Sequence, residues 1–277
     1  MFDLITEPLG FEFMQRALIA SLAAAAVCAV IGVFVVQRGL AFLGDGLAHA
    51  AFGGIGIGLF LGATVENAVW IAIPFTAVIA IGIGFVLRHT QLRGDVAIGV
   101  FFSFSLALGA LFLGLRTATD RQINVESLLF GSMLGVTPQV LVVMVVVSLV
   151  ALVVTLVLWS RLAYAIFDPE LAAISGVPVA VLEYLLLAQT AVVVVVAAKT
   201  LGVILVSSFV VIPAATARLV STTLARTTAL AALIATLGTA VGLIAAYHLN
   251  TPAMATIILI HCACFATALV ISSRRGR

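Results

Sequence analysis

The stretch QVLVVMVVVSLVALVVTLVLW, Gln139–Trp159, carries no charged residue. A helix needs about 20 consecutive apolar residues to cross the hydrocarbon core of a bilayer, and this run has that length. It reads as a transmembrane helix. Outward from it, comparable runs lie near 96–115, 67–87, 46–62 and 14–36 on one side, and near 179–198, 201–220, 227–246 and 253–271 on the other. The 46–62 run is short and Pro213 interrupts the 201–220 run. The count is therefore about nine, eight to nine, and nine is adopted. The predicted fold is all-α: a polytopic integral membrane helical bundle forming a single domain over residues 1–277.

Composition leads to the same class. Of 277 residues, 64% are hydrophobic and 9% are charged, with a mean hydropathy of +1.34. Soluble domains average roughly 45–50% apolar and about 25% charged residues. The excess argues against a soluble enzyme, a disordered chain and a nucleic-acid binder, which would need a basic face. A net charge of +2 implies no polyanionic partner. Cys28, Cys262 and Cys264 form no disulfide framework and lie in apolar runs, where free thiols are commonly buried.

Basic residues in short loops set orientation. With the N-terminus outside, the inner segments hold Arg38, Arg88, Arg93, Arg161, Arg218, Arg226, Arg274, Arg275 and Arg277, whereas the outer ones hold Arg16, Arg116, Arg121 and Lys199. The acidic start, with Asp3, Glu7 and Glu12, lacks the basic region of a cleavable signal peptide. The N-terminus is expected outside and the C-terminus in the cytoplasm. The longest connections are 116–138 outside and 160–178 inside, so no catalytic head is expected.

Enzyme signatures are missing as well. A nucleotide-binding loop needs G-x-x-x-x-G-K-[ST]; the only lysine is Lys199, preceded by Ala197-Ala198. Neither H-E-x-x-H nor G-x-S-x-G occurs. The expected role is a passage or a scaffold, with no permanently bound cofactor.

Against this background the polar residues within spans stand out, because ionisable groups there usually face a bundle interior or a watery path. Asp45 and His49 are four residues apart, which puts them on one helical face about a turn apart. A carboxylate and an imidazole are suitable ligands for zinc or manganese. The same pattern also fits a helix capped by Asp45, with His49 bonded to a neighbouring backbone. Gly54, Gly58 and Gly62 repeat every four residues, a surface along which another backbone packs closely and which equally fits a path wall. His261, close to Cys262 and Cys264, is either a packed histidine or a metal ligand; positions i, i+1 and i+3 do not share one face. Glu183 and Gln189 lie early in the sixth span, toward a cavity. Pro213 removes a backbone donor and bends its span, which suits a gate or simple packing.

In the inner loop, Asp168 fits an N-cap, Pro169 the first helical position and Gly176 the helix stop. They predict a helix of two turns, including Glu170 and Leu171, with small and apolar residues exposed. With few basic residues it is a weak membrane binder, so docking to a partner is the favoured role.

These residues resemble a known family, the membrane permease subunits of bacterial ABC importers for zinc, manganese and related metals. Phe42-Leu43-Gly44-Asp45-Gly46-Leu47-Ala48-His49-Ala50 is similar to its F-x-G-D-A-L-A-H-A stretch. Leu129-Phe130-Gly131 with Val136-Thr137-Pro138 is similar to an outer-loop segment, and Asp168–Ala172 with Gly176-Val177 to the loop that docks on the ATPase. Lys199-Thr200-Leu201-Gly202 and Val211-Ile212-Pro213-Ala214-Ala215-Thr216-Ala217-Arg218 are similar to its K-x-x-G and I-I-P-A-A-T-A-R elements. Gly46, Phe52-Gly53-Gly54 and Ser132 depart from the pattern, standing where alanine, a proline- or leucine-glycine pair and aspartate are usual. The resemblance implies an ATP-driven importer in the bacterial cell membrane, built as a homodimer or from two related permeases. It implies cytoplasmic ATPase subunits, an extracytoplasmic metal-binding protein, Asp45 and His49 as transient metal contacts, and a cargo of Zn2+ foremost or Mn2+ next. Two other readings are a proton-coupled secondary transporter using Asp45 and His49 as a relay, and a structural membrane protein assembled through its glycine faces.

Overall fold

The computed structural model describes residues 7–115 and 135–275. Among these residues all regular structure is helical: α1 (Glu12–Gln37), α2 (Leu43–Phe60), α3 (Val65–His89), α4 (Gly94–Leu115), α5 (Pro138–Val157), α6 (Trp159–Phe167), α7 (Pro169–Ile174), α8 (Val179–Leu201), α9 (Val203–Val220), α10 (Leu224–Leu249) and α11 (Ala253–Arg275). All but α6 and α7 are long and apolar enough to span a membrane, giving nine spans among the described residues. Hydrocarbon offers no partner to a free peptide group, so a spanning chain satisfies its backbone within helices or a closed barrel.

Helix ends follow local chemistry. The Thr64, Thr137 and Thr223 hydroxyls accept from the backbone N–H of Asn67, Val140 and Arg226, satisfying donors that a helix start leaves free. Most span ends differ from the sequence expectation, by up to four residues, and two differences bear on the site. α2 begins at Leu43, before residue 46, so Asp45 stands in its first turn. α9 runs unbroken through Pro213, which interrupts no span; the surrounding packing holds the helix together where one ladder bond is missing. The α8–α9 joint is the single residue Gly202.

Packing is set by small residues. α2 lies between α3 and α4. A Cβ added at Gly54 would fall 2.5 Å from Ala72 Cα, and one at Gly58 3.0 Å from Ala68 Cα, both in α3. On another face of α2, a Cβ at Gly53 would meet the Ser105 carbonyl at 2.5 Å, and one at Gly56 the Gly109 Cα at 2.8 Å, both in α4. Gly62, expected on the same face as Gly54 and Gly58, is not part of it. It follows the helix end at φ +88 with open space around it, and Gly62 N–H and Ala63 N–H close the last turn onto Leu59 O and Gly58 O. That left-handed stop is a position at which glycine costs little. Around this layer, α1 packs on α9, α10 and α5, while α9 packs on α10 and α11. Large apolar side chains remain exposed on α4 (Val100, Phe104, Leu111), α5 (Val142, Val146, Val153) and α11 (Leu259, Leu269), as expected for faces turned to lipid or to another subunit.

Contacts sort the connections into two ends. Arg38, Arg88 and Glu183 meet at one end, in a cavity that Gly94 and Ile166 also line. At the other end Asn67, Gln139 and Lys199 share a pocket, and Phe11 lies beside Tyr247 with ring centroids 6.2 Å apart. This alternation is the one that nine crossings require.

Because the neighbours of Gly54 are backbone atoms that cannot swing aside, Gly54→Val is expected to destabilise the fold by about 1–3 kcal/mol. Gly99 has nothing within 4 Å of an added Cβ, so Gly99→Ala is expected to leave stability unchanged or raised. Thermal melts of the two purified variants in detergent check both.

Candidate metal path and docking surface

Asp45 and His49 project from the first two turns of α2. His49 Nε2 lies 3.7 Å from Asp45 Oδ1, too long for a hydrogen bond. Two donors bound to one ion at about 2.0–2.2 Å lie roughly 3–3.5 Å apart, so a small side-chain rotation would let both grip the same cation. His49 Nδ1 is buried with no hydrogen-bond partner, and Phe102 of α4 packs edge-on against the imidazole at 5.1 Å between centroids. Asp45 makes no cap bond, since the N-cap position is Phe42 and carries no side-chain bond. The arrangement of a capping aspartate and a backbone-bonded histidine is therefore not the one adopted. The Asp45 side chain is 48% exposed and that of His49 27%, so the pair opens onto the surface of the single chain. Sequence patterning gave no sign of Phe102; it reaches His49 because the glycines of α2 bring α4 so close.

Glu183 bridges three elements. Its carboxylate accepts from the guanidinium of Arg38, just after α1, and from that of Arg88, at the end of α3, the latter at 3.4 Å. The cluster lines a cavity of about 450 Å³, where the sequence reading expected Glu183 to face; its two arginine partners were not foreseen. Gln189 is placed otherwise: its side-chain N–H donates to Thr155 Oγ1 of α5 at 2.9 Å, tying α8 to α5.

α7 takes the form its residues predict. The Asp168 carboxylate accepts from Leu171 N–H at 2.9 Å, Pro169 opens the helix, and Gly176 stops it at φ +79. Gly176 N–H bonds Ala173 O and Val177 N–H bonds Ala172 O, the paired bonds of a left-handed helix stop. Ala172 is buried, whereas Glu170, Leu171 and Ile174 face outward, Ile174 at 83% exposure. Tyr164 Oη lies 3.0 Å from Ser175 Oγ and fastens the end of α7 to α6.

His261 is fully buried between α9, α10 and α11. Its Nε2 is 3.3 Å from Ala235 O, and Phe209 packs edge-on against its ring. A Cβ at Gly238 would come within 2.6 Å of the ring, so glycine makes the space this imidazole fills. Cys262 is exposed and Cys264 part-exposed, and only Cys28 is buried; burial of all three thiols was expected and does not occur, because Cys262 and Cys264 lie on the outward side of α11. Among the described residues no group of three or more His, Cys, Asp or Glu side chains is placed to hold a metal ion. Pro213 is buried in α9. Leu129-Phe130-Gly131 and Ser132 lie outside the described residues.

Comparison with known proteins gives consistent matches. Residues 10–272 match the ABC 3 transport family. A manganese transport system membrane protein of Halalkalibacterium halodurans is 32% identical over 97% of this chain and 90% of its own length. A probable iron transport system membrane protein of Haemophilus influenzae is 30% identical over the full length of both. Among solved structures, PsaBC from Streptococcus pneumoniae in complex with Fab superposes with a TM-score of 0.81 at 28% identity, covering 96% of this chain and 94% of that one. Nine membrane-length helices, the F-x-G-D-x-L-A-H-A stretch in α2 and a family match across almost the whole chain lead to one conclusion: this multi-pass membrane protein belongs to the ABC 3 transport family, the metal-importer permeases its sequence resembles.

Proposed function

We propose that this chain is the permease subunit of an ATP-driven importer that carries a divalent first-row metal ion into the cytoplasm. The observation that carries the reading is the Asp45–His49 pair: two metal-capable donors a turn apart, His49 Nε2 turned toward Asp45 Oδ1 at 3.7 Å, and an opening onto the chain's surface. One chain offers two donors, too few for a permanent site. A second copy placed against this surface would bring the number to four, enough to hold an ion briefly and still release it. Manganese is the foremost cargo in this proposal, because relatives are named for manganese and iron and because carboxylate–imidazole sites suit harder ions than thiolate sites do. Zinc, which the family resemblance put foremost, shares these ligands and competes for the site.

The end carrying Arg38, Arg88, Arg93 and α7 is the cytoplasmic one in this reading, by the excess of arginine there. ATPase subunits would seat α7 through Leu171, Ile174 and Glu170, and their motion would switch the bundle between outward-open and inward-open states. A metal-binding protein would deliver the ion at the opposite end. ATP hydrolysis belongs to the partner subunits, consistent with a sequence that lacks the nucleotide-binding loop.

Uptake of manganese, zinc and iron by vesicles holding this chain, its ATPase and the metal-binding protein tests the proposal. ATP-dependent accumulation of manganese above the other ions is expected; accumulation that ignores ATP and follows a proton gradient would replace the importer with a secondary transporter. His49→Ala is expected to lower uptake by roughly tenfold or more, equivalent to about 1.4 kcal/mol or more of lost ion binding, while the complex with the ATPase still forms. Ile174→Asp places a charge on the docking face and is expected to weaken ATPase association by about 1–2 kcal/mol, read by co-purification and titration, with the fold of the permease unchanged.

A further inference from the structure

We propose that Glu183 is a positioning residue that transmits displacement of α7 to the Asp45–His49 pair through Arg38. The inference rests on the transport reading above and adds a route for its coupling step. Three observations carry it.

The first is the absence of slack between α7 and Glu183. The Gly176 stop, the Tyr164–Ser175 contact and a bond from Val179 N–H to Val177 O at 2.8 Å brace the four residues that separate α7 from α8. Glu183 follows in the second turn of α8. A shift of α7 therefore arrives at this carboxylate rather than being absorbed by a loose linker.

The second is the equally short path from Arg38 to the pair. Arg38 opens the link between α1 and α2, and that link is stitched by Leu40 N–H to Val35 O at 3.1 Å and by Leu43 N–H to Leu40 O at 2.9 Å. Leu40 is buried and lies against Gly94, where an added Cβ would approach it to 2.4 Å. Asp45 comes in the next turn.

The third is the electrostatics of the cluster. The Glu183 and Arg38 side chains are only 18% and 20% exposed. Separating such a pair leaves two poorly solvated charges, which costs far more than separating an exposed one. The two groups are thus held to move together, and the cavity beside them, lined by Gln37, Gly84, Arg88 and Gly94, leaves room for that movement. Arg88 is more exposed and its contact is longer, making it the softer arm, tied to α3.

The test measures manganese uptake per ATP hydrolysed in vesicles holding the complete importer, with Glu183→Gln, Arg38→Gln, their combination, Arg88→Gln and Glu183→Asp. Glu183→Gln and Arg38→Gln are each expected to reduce this ratio by roughly fivefold or more while ATP hydrolysis continues and assembled complex is recovered. The double variant should fall no further than either single one, Arg88→Gln should fall less, and Glu183→Asp should restore part of the loss. An unchanged ratio in Glu183→Gln, or additive losses in the double variant, overturns the proposal. If Glu183→Gln fails to assemble, assembled Arg38→Gln decides, and an unchanged ratio there overturns the proposal. Failure of the unsubstituted importer to link uptake to ATP would instead remove the transport reading itself.

Discussion

Close backbone packing around α2 is the constraint on which the rest of the structure depends. This helix holds glycines at 44, 46, 53, 54, 56 and 58, each disfavouring a helix in water by about 1 kcal/mol relative to alanine. In a bilayer, an unpaired peptide group costs more than that entropy, so the segment remains helical. What glycine contributes is proximity. Ala68 and Ala72 on one side, and Ser105 and Gly109 on the other, approach α2 to distances that any Cβ would block. The ionisable side chains of α2 lie in its first two turns, where Gly44 and Gly46 still pack on Val210 and Ile98, and Asp45 and His49 stay part-exposed.

Two kinds of polar group then divide the work. His261 is buried and Gln189 half-buried, each with a bond to a neighbouring helix, to Ala235 O and Thr155 Oγ1, and they hold helices together. Asp45, His49 and Glu183 lie at helix ends, where charges retain some solvent or an ionic partner. A transporter needs both, because a charge fully satisfied within the bundle cannot give up its partner to a passing ion. The doubly paired Glu183 follows the rule that buried polar atoms seek partners, whereas His49 Nδ1, His261 Nδ1 and Gln189 Oε1 each go without one.

The spans, their number and the motif bearing Asp45 and His49 were legible in the sequence, since hydropathy over about 20 residues reflects a local requirement of the bilayer. Helix α7 was legible too: Asp168, Pro169 and Gly176 act on backbone groups within a few positions of themselves. Less legible were the roles of individual glycines. Gly54, Gly58 and Gly62 share a spacing, but Gly62 falls past the helix end at φ +88, and a four-residue repeat does not record where a helix stops. Pro213 interrupts the 201–220 run in the sequence, whereas α9 continues across it in the structure.

By itself, then, the sequence determined that this chain spans a membrane about nine times, where the short helix α7 forms and which carboxylate and imidazole share a helical face. Each of these follows from the chemistry of residues near one another along the chain. Only the tertiary structure decided that Arg38 and Arg88 converge on Glu183, that Phe102 packs on His49, and that Gly238 makes room for His261. Those pairs lie far apart in the chain, and their meeting is set by how closely the small residues between them allow whole helices to approach.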